Sequence, residues 1–221
     1  MLADSAALLL DFDGPVCSVF SGFPAPAVVE QLCVVLADGG FGELPPEIEK
    51  SEDPFDVLSY AATLGETEAR FVNAAFTAHE VEAITSAVPT PSAHDFLRFW
   101  SVTGRPLAIV SNNSILAIEA YLDMHNLRPY VAHISARSTP NPAILKPSPY
   151  LLDNAMTALG AAPDDSVMVG DSTTDIDAGR AAGVSVIGYA NKPGKVTRLT
   201  EAGAAYVIIS MTELVEALPS A

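Results

Sequence analysis

Three short apolar runs, at 6–10, 107–110 and 167–169, each stop abruptly at polar residues and lead towards a helix-like stretch. Runs this short, apolar at consecutive positions rather than alternating, read as strands buried on both faces of a parallel sheet. The polar residues that end them are chemically specific. Asp11-Phe12-Asp13-Gly14 follows the first run, Ser111-Asn112-Asn113 the second, and Gly170-Asp171-Ser172-Thr173-Thr174-Asp175 the third. Doubly wound α/β sheets bind ligands beyond the carboxyl ends of their strands. These segments, together with Lys146 in a proline-flanked stretch, are therefore expected to meet at one edge.

From residue 89 onward helix-like and strand-like stretches alternate. Strands are expected at 107–110, 131–135, 167–169, 184–187 and 206–209, and helices at 92–106, 114–126, 149–159, 174–182, 196–202 and 212–218. Such βα alternation implies a parallel sheet with right-handed crossovers. The first strand is expected over 4–13, followed by a loop over 14–26 with two glycines and three prolines. The region behind it shows only helical periodicity, at 25–37, 46–64 and 66–87. Val28, Leu32, Val35 and Leu36 fall on one face, and Asp53-Pro54 breaks the second stretch in two. The expected architecture is an α/β fold, a doubly wound parallel sheet formed by residues 1–18 and 89–221, with an α-helical cap of residues 19–88 inserted after the first strand. Pro89-Thr90-Pro91 is its hinge.

Composition narrows the function. A net charge of −16 over 221 residues argues against nucleic acid or anionic membranes as partners. No apolar run approaches the roughly 18 residues of a membrane span. The N-terminal residues lack a basic residue and run straight into Asp11, so no secretory signal is expected. Cys17 and Cys33 have neither metal-ligand spacing nor a disulfide framework, which points to a reducing cytoplasm. Between residues 15 and 88, twelve acidic residues face only Lys50 and Arg70. This reads as a solvated, solubilising surface, with an acidic lid over a cationic substrate group as the sharper alternative. Trp100 is expected in the core and Cys17 as an inert thiol, while His79 and His94 stand isolated.

Asp11 and Asp13 are two residues apart and leave the same face of an extended chain. Two such carboxylates repel unless a cation separates them or their tasks differ. Phosphoryl transfer supplies both conditions: one carboxylate attacks phosphorus, while the other protonates the leaving alcohol and later deprotonates water. Asp171 after the third strand adds an oxygen ligand. Asp11, Asp171 and the Asp13 main-chain carbonyl suit the ligand preferences of Mg²⁺. Asp175, one helical turn on, is suited to a metal-bound water or to orienting Lys146. Ser111, Lys146 and the main-chain amides of Asn112 and Asn113 offer donors to a phosphate.

These motifs resemble those of the haloacid dehalogenase superfamily, in its phosphoglycolate-phosphatase-like branch with a helical cap. The likeness rests on Asp11-Phe12-Asp13-Gly14, Val110-Ser111-Asn112, Lys146-Pro147 and the Gly170 to Asp175 segment, in that order. It implies Asp11 as nucleophile, Asp13 as acid/base, Ser111, Asn112 and Lys146 on the phosphate, and Mg²⁺ on Asp11, Asp13 and Asp171, with Asp175 in support. The implied activity is hydrolysis of a small phosphorylated metabolite by a cytoplasmic monomer or weak homodimer. A phosphomutase of the same family is the nearest alternative, although no Lys, Arg or His occurs between residues 14 and 49. A non-catalytic regulatory protein of the same fold is another. Pro15 departs from the usual Thr or Val and stiffens the loop after the first strand. Specificity is expected from the cap, with Glu52, Asp53 and Phe55 facing the cleft.

Overall fold

The structure is a computed structural model that describes residues 1–41 and 43–218. Six parallel strands form its sheet: β1 (Ala7–Leu10), β4 (Leu107–Ser114), β5 (His133–Arg137), β6 (Ser166–Gly170), β7 (Ser185–Tyr189) and β8 (Tyr206–Ile208). Their spatial order is β5-β4-β1-β6-β7-β8, which places β1 at the centre where the chain changes winding direction. Two further strands, β2 (Cys17–Ser18) and β3 (Val88–Pro89), form a separate antiparallel ladder.

The apolar runs behave as two-faced strands. Leu8 and Leu10 join Ile109, Val167 and Val169 in one core, whereas Leu9 joins Ala108, Val110 and Met168 in the other. The first core is closed by α5 (Ala93–Val102), α6 (Ile115–Met124) and α10 (Thr212–Glu216). Trp100, from α5, is fully buried there as expected. On the opposite face lie α7 (Tyr150–Leu159), α8 (Thr173–Ala182) and α9 (Lys195–Ala202). Alternate residues of each strand thus fill cores on opposite sides of the sheet, which is why the sequence shows unbroken rather than alternating apolarity.

Between β2 and β3 the chain forms α1 (Ala25–Asp38), α2 (Pro46–Glu49), α3 (Pro54–Leu64) and α4 (Glu66–Ile84). Asp53 divides the second expected helix as anticipated: its carboxylate caps α3 by accepting from the Phe55 N–H at 2.9 Å, with Pro54 at the first helical position. Val28, Leu32, Val57, Leu58, Val72 and Phe76 make these helices one apolar cluster continuous with the second core.

Two expectations change. The loop expected over 14–26 contains β2, paired with β3 where a hinge was expected. A two-residue ladder is too short to leave any periodicity. β4 also runs to Ser114, four residues beyond its apolar stretch. Its register with β5 slips between Ser111 and Ser114, so Asn112 and Asn113 form a bulge that aims polar groups off the strand tip.

Leu9 is fully buried on the central strand. Leu9→Ala is expected to lose about 2–5 kcal/mol of unfolding free energy with little change in m-value, checked by urea titration.

Candidate active site

The expected residues do converge. Asp11 extends β1 towards β6 by donating its N–H to the Val169 carbonyl at 2.9 Å, which carries its side chain to the sheet's edge. Lys146 Nζ lies 2.8 Å from Asp11 Oδ1 and 2.6 Å from Asp175 Oδ1, and donates to the Val110 carbonyl at 3.0 Å. Asp11, Lys146 and Asp175 are all buried. Asp175 serves two tasks. Its Oδ2 accepts from the N–H and hydroxyl of Ser172, completing a capping box at the start of α8, while Oδ1 orients Lys146.

Glycine permits this crowding at two points. Gly14 has φ +105°, and a Cβ there would stand 2.5 Å from Asp171 Cγ; at Gly170 a Cβ would stand 2.4 Å from Asp175 Cγ. The turn at Gly14 is braced, for Thr90 donates its hydroxyl to the Gly14 carbonyl at 2.6 Å and the Gly14 N–H donates to the Cys17 carbonyl at 2.7 Å. Pro15 sits inside this braced turn.

Electrostatics distinguish the two motif aspartates. Burial, then the neighbouring Asp175 charge, pushes the Asp11 carboxyl up to about 8, against the opposing pull of Lys146. Burial raises Asp13 to about 6, opposed by the Val19 N–H that donates to its Oδ1 at 2.9 Å. Although burial disfavours its charge, Lys146 is held above the ordinary lysine range by Asp11 and Asp175. Cys17 is buried, and burial raises its thiol well above the usual range, as expected of an inert cysteine.

Carboxylate oxygens of Asp11, Asp171 and Asp175 come within 4.8 Å of one another. Purely oxygen donors, gathered against mutual repulsion, fit a hard divalent cation such as Mg²⁺. The Asp13 carboxylate lies outside this group and turns to the Val19 N–H, leaving its main-chain carbonyl for a ligand role. Asp175 thus joins the expected Asp11 and Asp171 in the side-chain cluster, while the ligand role expected of Asp13 concerns its main-chain carbonyl, since the turn after β1 draws its carboxylate towards β2. The Asn112 side chain clamps Lys146, accepting from the Lys146 N–H at 2.8 Å and donating to the Lys146 carbonyl at 3.0 Å; the donor expected of Asn112 from the sequence is its main-chain amide. Ser111 is buried, its hydroxyl donating to Asn113 Oδ1 at 3.1 Å.

Two residues at the site went unread in the sequence. Asn191 donates to Asp171 Oδ2 at 2.9 Å, and Lys195 reaches the same oxygen. Asn191 lies in the loop that follows β7 and Lys195 is the first residue of α9; their position after a strand end was the available signal. A cleft of about 450 Å³ opens beside Asp13, and Glu52, Asp53 and Phe55 line it as expected, with Phe20, Ser51 and Asp56.

A family profile described as haloacid dehalogenase-like hydrolase matches residues 6–183. The chain belongs to the haloacid dehalogenase-like hydrolases. Among curated relatives, a phosphoglycolate phosphatase of Neisseria meningitidis is 34% identical over 134 residues, 59% of this chain and 56% of that protein. The pyrophosphatase PpaX of Halalkalibacterium halodurans is 40% identical over 74 residues, 33% of this chain and 34% of the relative. The matched stretch thus spans about half or less of these relatives' length. Of solved structures, a predicted phosphatase from Clostridium acetobutylicum superposes with a TM-score of 0.71 at 18% identity, covering 96% of this chain and 97% of that one. CbbY from Rhodobacter sphaeroides in complex with phosphate superposes at 0.65 with 22% identity, covering 95% and 96%. This haloacid dehalogenase-like chain therefore shares its whole fold, insertion included, with these proteins.

The raised carboxyls of Asp11 and Asp13 give a signed expectation. Each prefers its proton in the folded state, so the stability it contributes is present below the unfolded value of 3.8 and is lost as pH rises through about 6 and about 8. In chelator the thermal midpoint is expected to fall between about pH 4 and pH 8, and Asp11→Asn to flatten that fall. A midpoint that stays level or rises in the unsubstituted protein over this window contradicts the assignment.

Proposed function

We propose that the chain is a Mg²⁺-dependent phosphomonoester hydrolase that works through an aspartyl-phosphate on Asp11. The observation that carries this reading is Asp11 at the tip of the central strand, held at 2.8 Å by the buried Lys146, with the protonatable Asp13 two residues on.

In this reading the substrate phosphate rests between the Ser111 hydroxyl, the Asn112 amide and the Lys146 ammonium, whose charge offsets that of the transferring group. An Asp11 carboxylate oxygen attacks phosphorus in line as the bond to the leaving oxygen breaks, and Asp13 gives that oxygen its proton. Asp13, now ionised, takes a proton from water. The hydroxide attacks the phosphorus of the aspartyl-phosphate, releasing inorganic phosphate and regenerating Asp11. A carboxyl at about 6 is suited to both transfers near neutral pH. Asp11, Asp171 and the Asp13 carbonyl would hold Mg²⁺, with Asp175 nearby; bound there, the cation would supply charge neutralisation for the nucleophile and the phosphate.

Residues 1–18 and 89–221 form the catalytic core in this proposal, and 19–88 act as a cap that closes the cleft and selects a small phosphorylated metabolite. The side chains lining the cleft include no Lys, Arg or His, which favours a hydrolase over a mutase that must grip a second phosphate. Unbridged Cys17 and Cys33 fit a reducing cytoplasm, and no helix among the described residues is long and apolar enough to cross a membrane.

Asp11→Asn is expected to lower kcat with an aryl phosphate by more than about a hundredfold, or about 2.7 kcal/mol of barrier, while the fold persists. A smaller loss removes Asp11 as nucleophile. Activity is expected to vanish with EDTA, return with Mg²⁺ and be suppressed by Ca²⁺, whose looser coordination misplaces the attacking oxygen. Full turnover after exhaustive chelation contradicts the metal assignment.

A further inference from the structure

One buried polar network joins the helical insertion to the core, and the reaction above makes no use of it. Glu80 falls on the inward stripe of α4 with Val72 and Phe76 and is fully buried. Arg137, the last residue of β5, is buried as well. Arg137 Nη2 donates to Glu80 Oε2, Nη1 reaches Asn73 and Thr77 of α4, and Nε donates to the Asn112 carbonyl at 3.1 Å. Its guanidinium also lies over the Phe76 ring, 4.5 Å from the centroid.

Glu80 is equally committed to the bulge of β4. It accepts from Asn113 Nδ2 at 3.0 Å and from the Ser114 N–H at 3.1 Å. An ionised carboxylate only accepts, so it fixes the Asn113 amide with nitrogen outward and Oδ1 towards Ser111. That Oδ1 is the atom on which the Ser111 hydroxyl rests, at 3.1 Å. The polar contacts of the pair thus run from α4 to residues 112–114, and through Asn113 to the hydroxyl assigned to the phosphate. Two apolar side chains would seal the same interface without removing charges from water. What the ion pair adds is direction.

We propose that Glu80 and Arg137 are positioning residues for phosphate binding, locking the 111–114 bulge to α4 so that the Ser111 hydroxyl and Asn112 amide are pre-aligned for the anion. The seating of the insertion is thereby coupled to phosphate affinity. This proposal rests on the reading of Ser111 as a phosphate ligand, and the experiment separates the two.

Inorganic phosphate, the reaction product, is the probe, titrated calorimetrically in Mg²⁺-containing buffer alongside steady-state kinetics with an aryl phosphate. Ser111→Ala is expected to weaken phosphate about tenfold, the scale of one hydrogen bond to a charged group. Arg137→Lys keeps the charge but loses the Nε–H on Asn112, and is expected to weaken phosphate several-fold while raising KM more than it lowers kcat. The double variant Glu80→Leu/Arg137→Met removes both buried charges together, the substitution such interfaces tolerate best. It is expected to keep a thermal midpoint near that of the unsubstituted protein and to weaken phosphate about tenfold, because the fold survives and the alignment does not. If Ser111→Ala weakens phosphate while Arg137→Lys and the double variant bind it as the unsubstituted protein does, the positioning role is overturned and the phosphate site stands. If Ser111→Ala leaves phosphate affinity unchanged, both readings fall. Should the double variant not fold, Arg137→Lys decides alone.

Discussion

A single buried ammonium holds this site together. Lys146 lies between Asp11 and Asp175 with its third donor on the Val110 carbonyl, and thereby connects the tip of β1, β4 and the start of α8. Removing charges from water is costly, and the two carboxylates placed on Lys146 exceed what one lysine can neutralise. Burial, and then the unneutralised Asp175 charge, raise the carboxyl of Asp11. Such a surplus suits the binding of a further positive charge, which in the proposed reaction a divalent cation would supply.

The rest of the architecture serves that placement. β1 is the central strand, so Asp11 and Asp13 emerge where the winding direction changes and neighbouring loops diverge. Gly14 and Gly170 let two backbones close on the carboxylates of Asp171 and Asp175, where any side chain would collide. Asn112 ties the Lys146 segment to the bulge after Ser111 through paired hydrogen bonds. Asp11 and Asp13, chemically identical, sit in different environments: one faces Lys146, the other turns to the Val19 N–H beside the open cleft.

Much of this was legible in the sequence because it follows from short-range rules. Unbroken apolar runs marked buried strands, and the polar residues ending them had to lie at one edge. Asp53-Pro54 announced a helix start that the structure contains. What stayed hidden depends on pairing across long separations. The β2–β3 ladder joins residues some 70 apart in the chain over only two positions. Asn191 and Lys195 reach Asp171 only because β7 lies beside β6. Glu80 left a faint trace, a charge at helical spacing from Val72 and Phe76, but its partner Arg137 ends a strand on the other side of the interface. That the Asp13 carboxylate turns to the Val19 N–H, away from the cluster of Asp11, Asp171 and Asp175, reflects a turn whose direction no spacing rule records.

The central claim is that Asp11 forms a covalent bond to phosphorus. The aryloxide of an aryl phosphate leaves without needing a proton, so in Asp13→Asn the first step should proceed while hydrolysis of the intermediate, which needs a base, stalls. Acid quenching of that variant in a single turnover, followed by peptide mass spectrometry, should find a phosphoryl group on the peptide bearing Asp11, formed in step with release of the aryl alcohol. Release of the alcohol with an unmodified Asp11 peptide, or a phosphoryl group on another residue, would contradict the account.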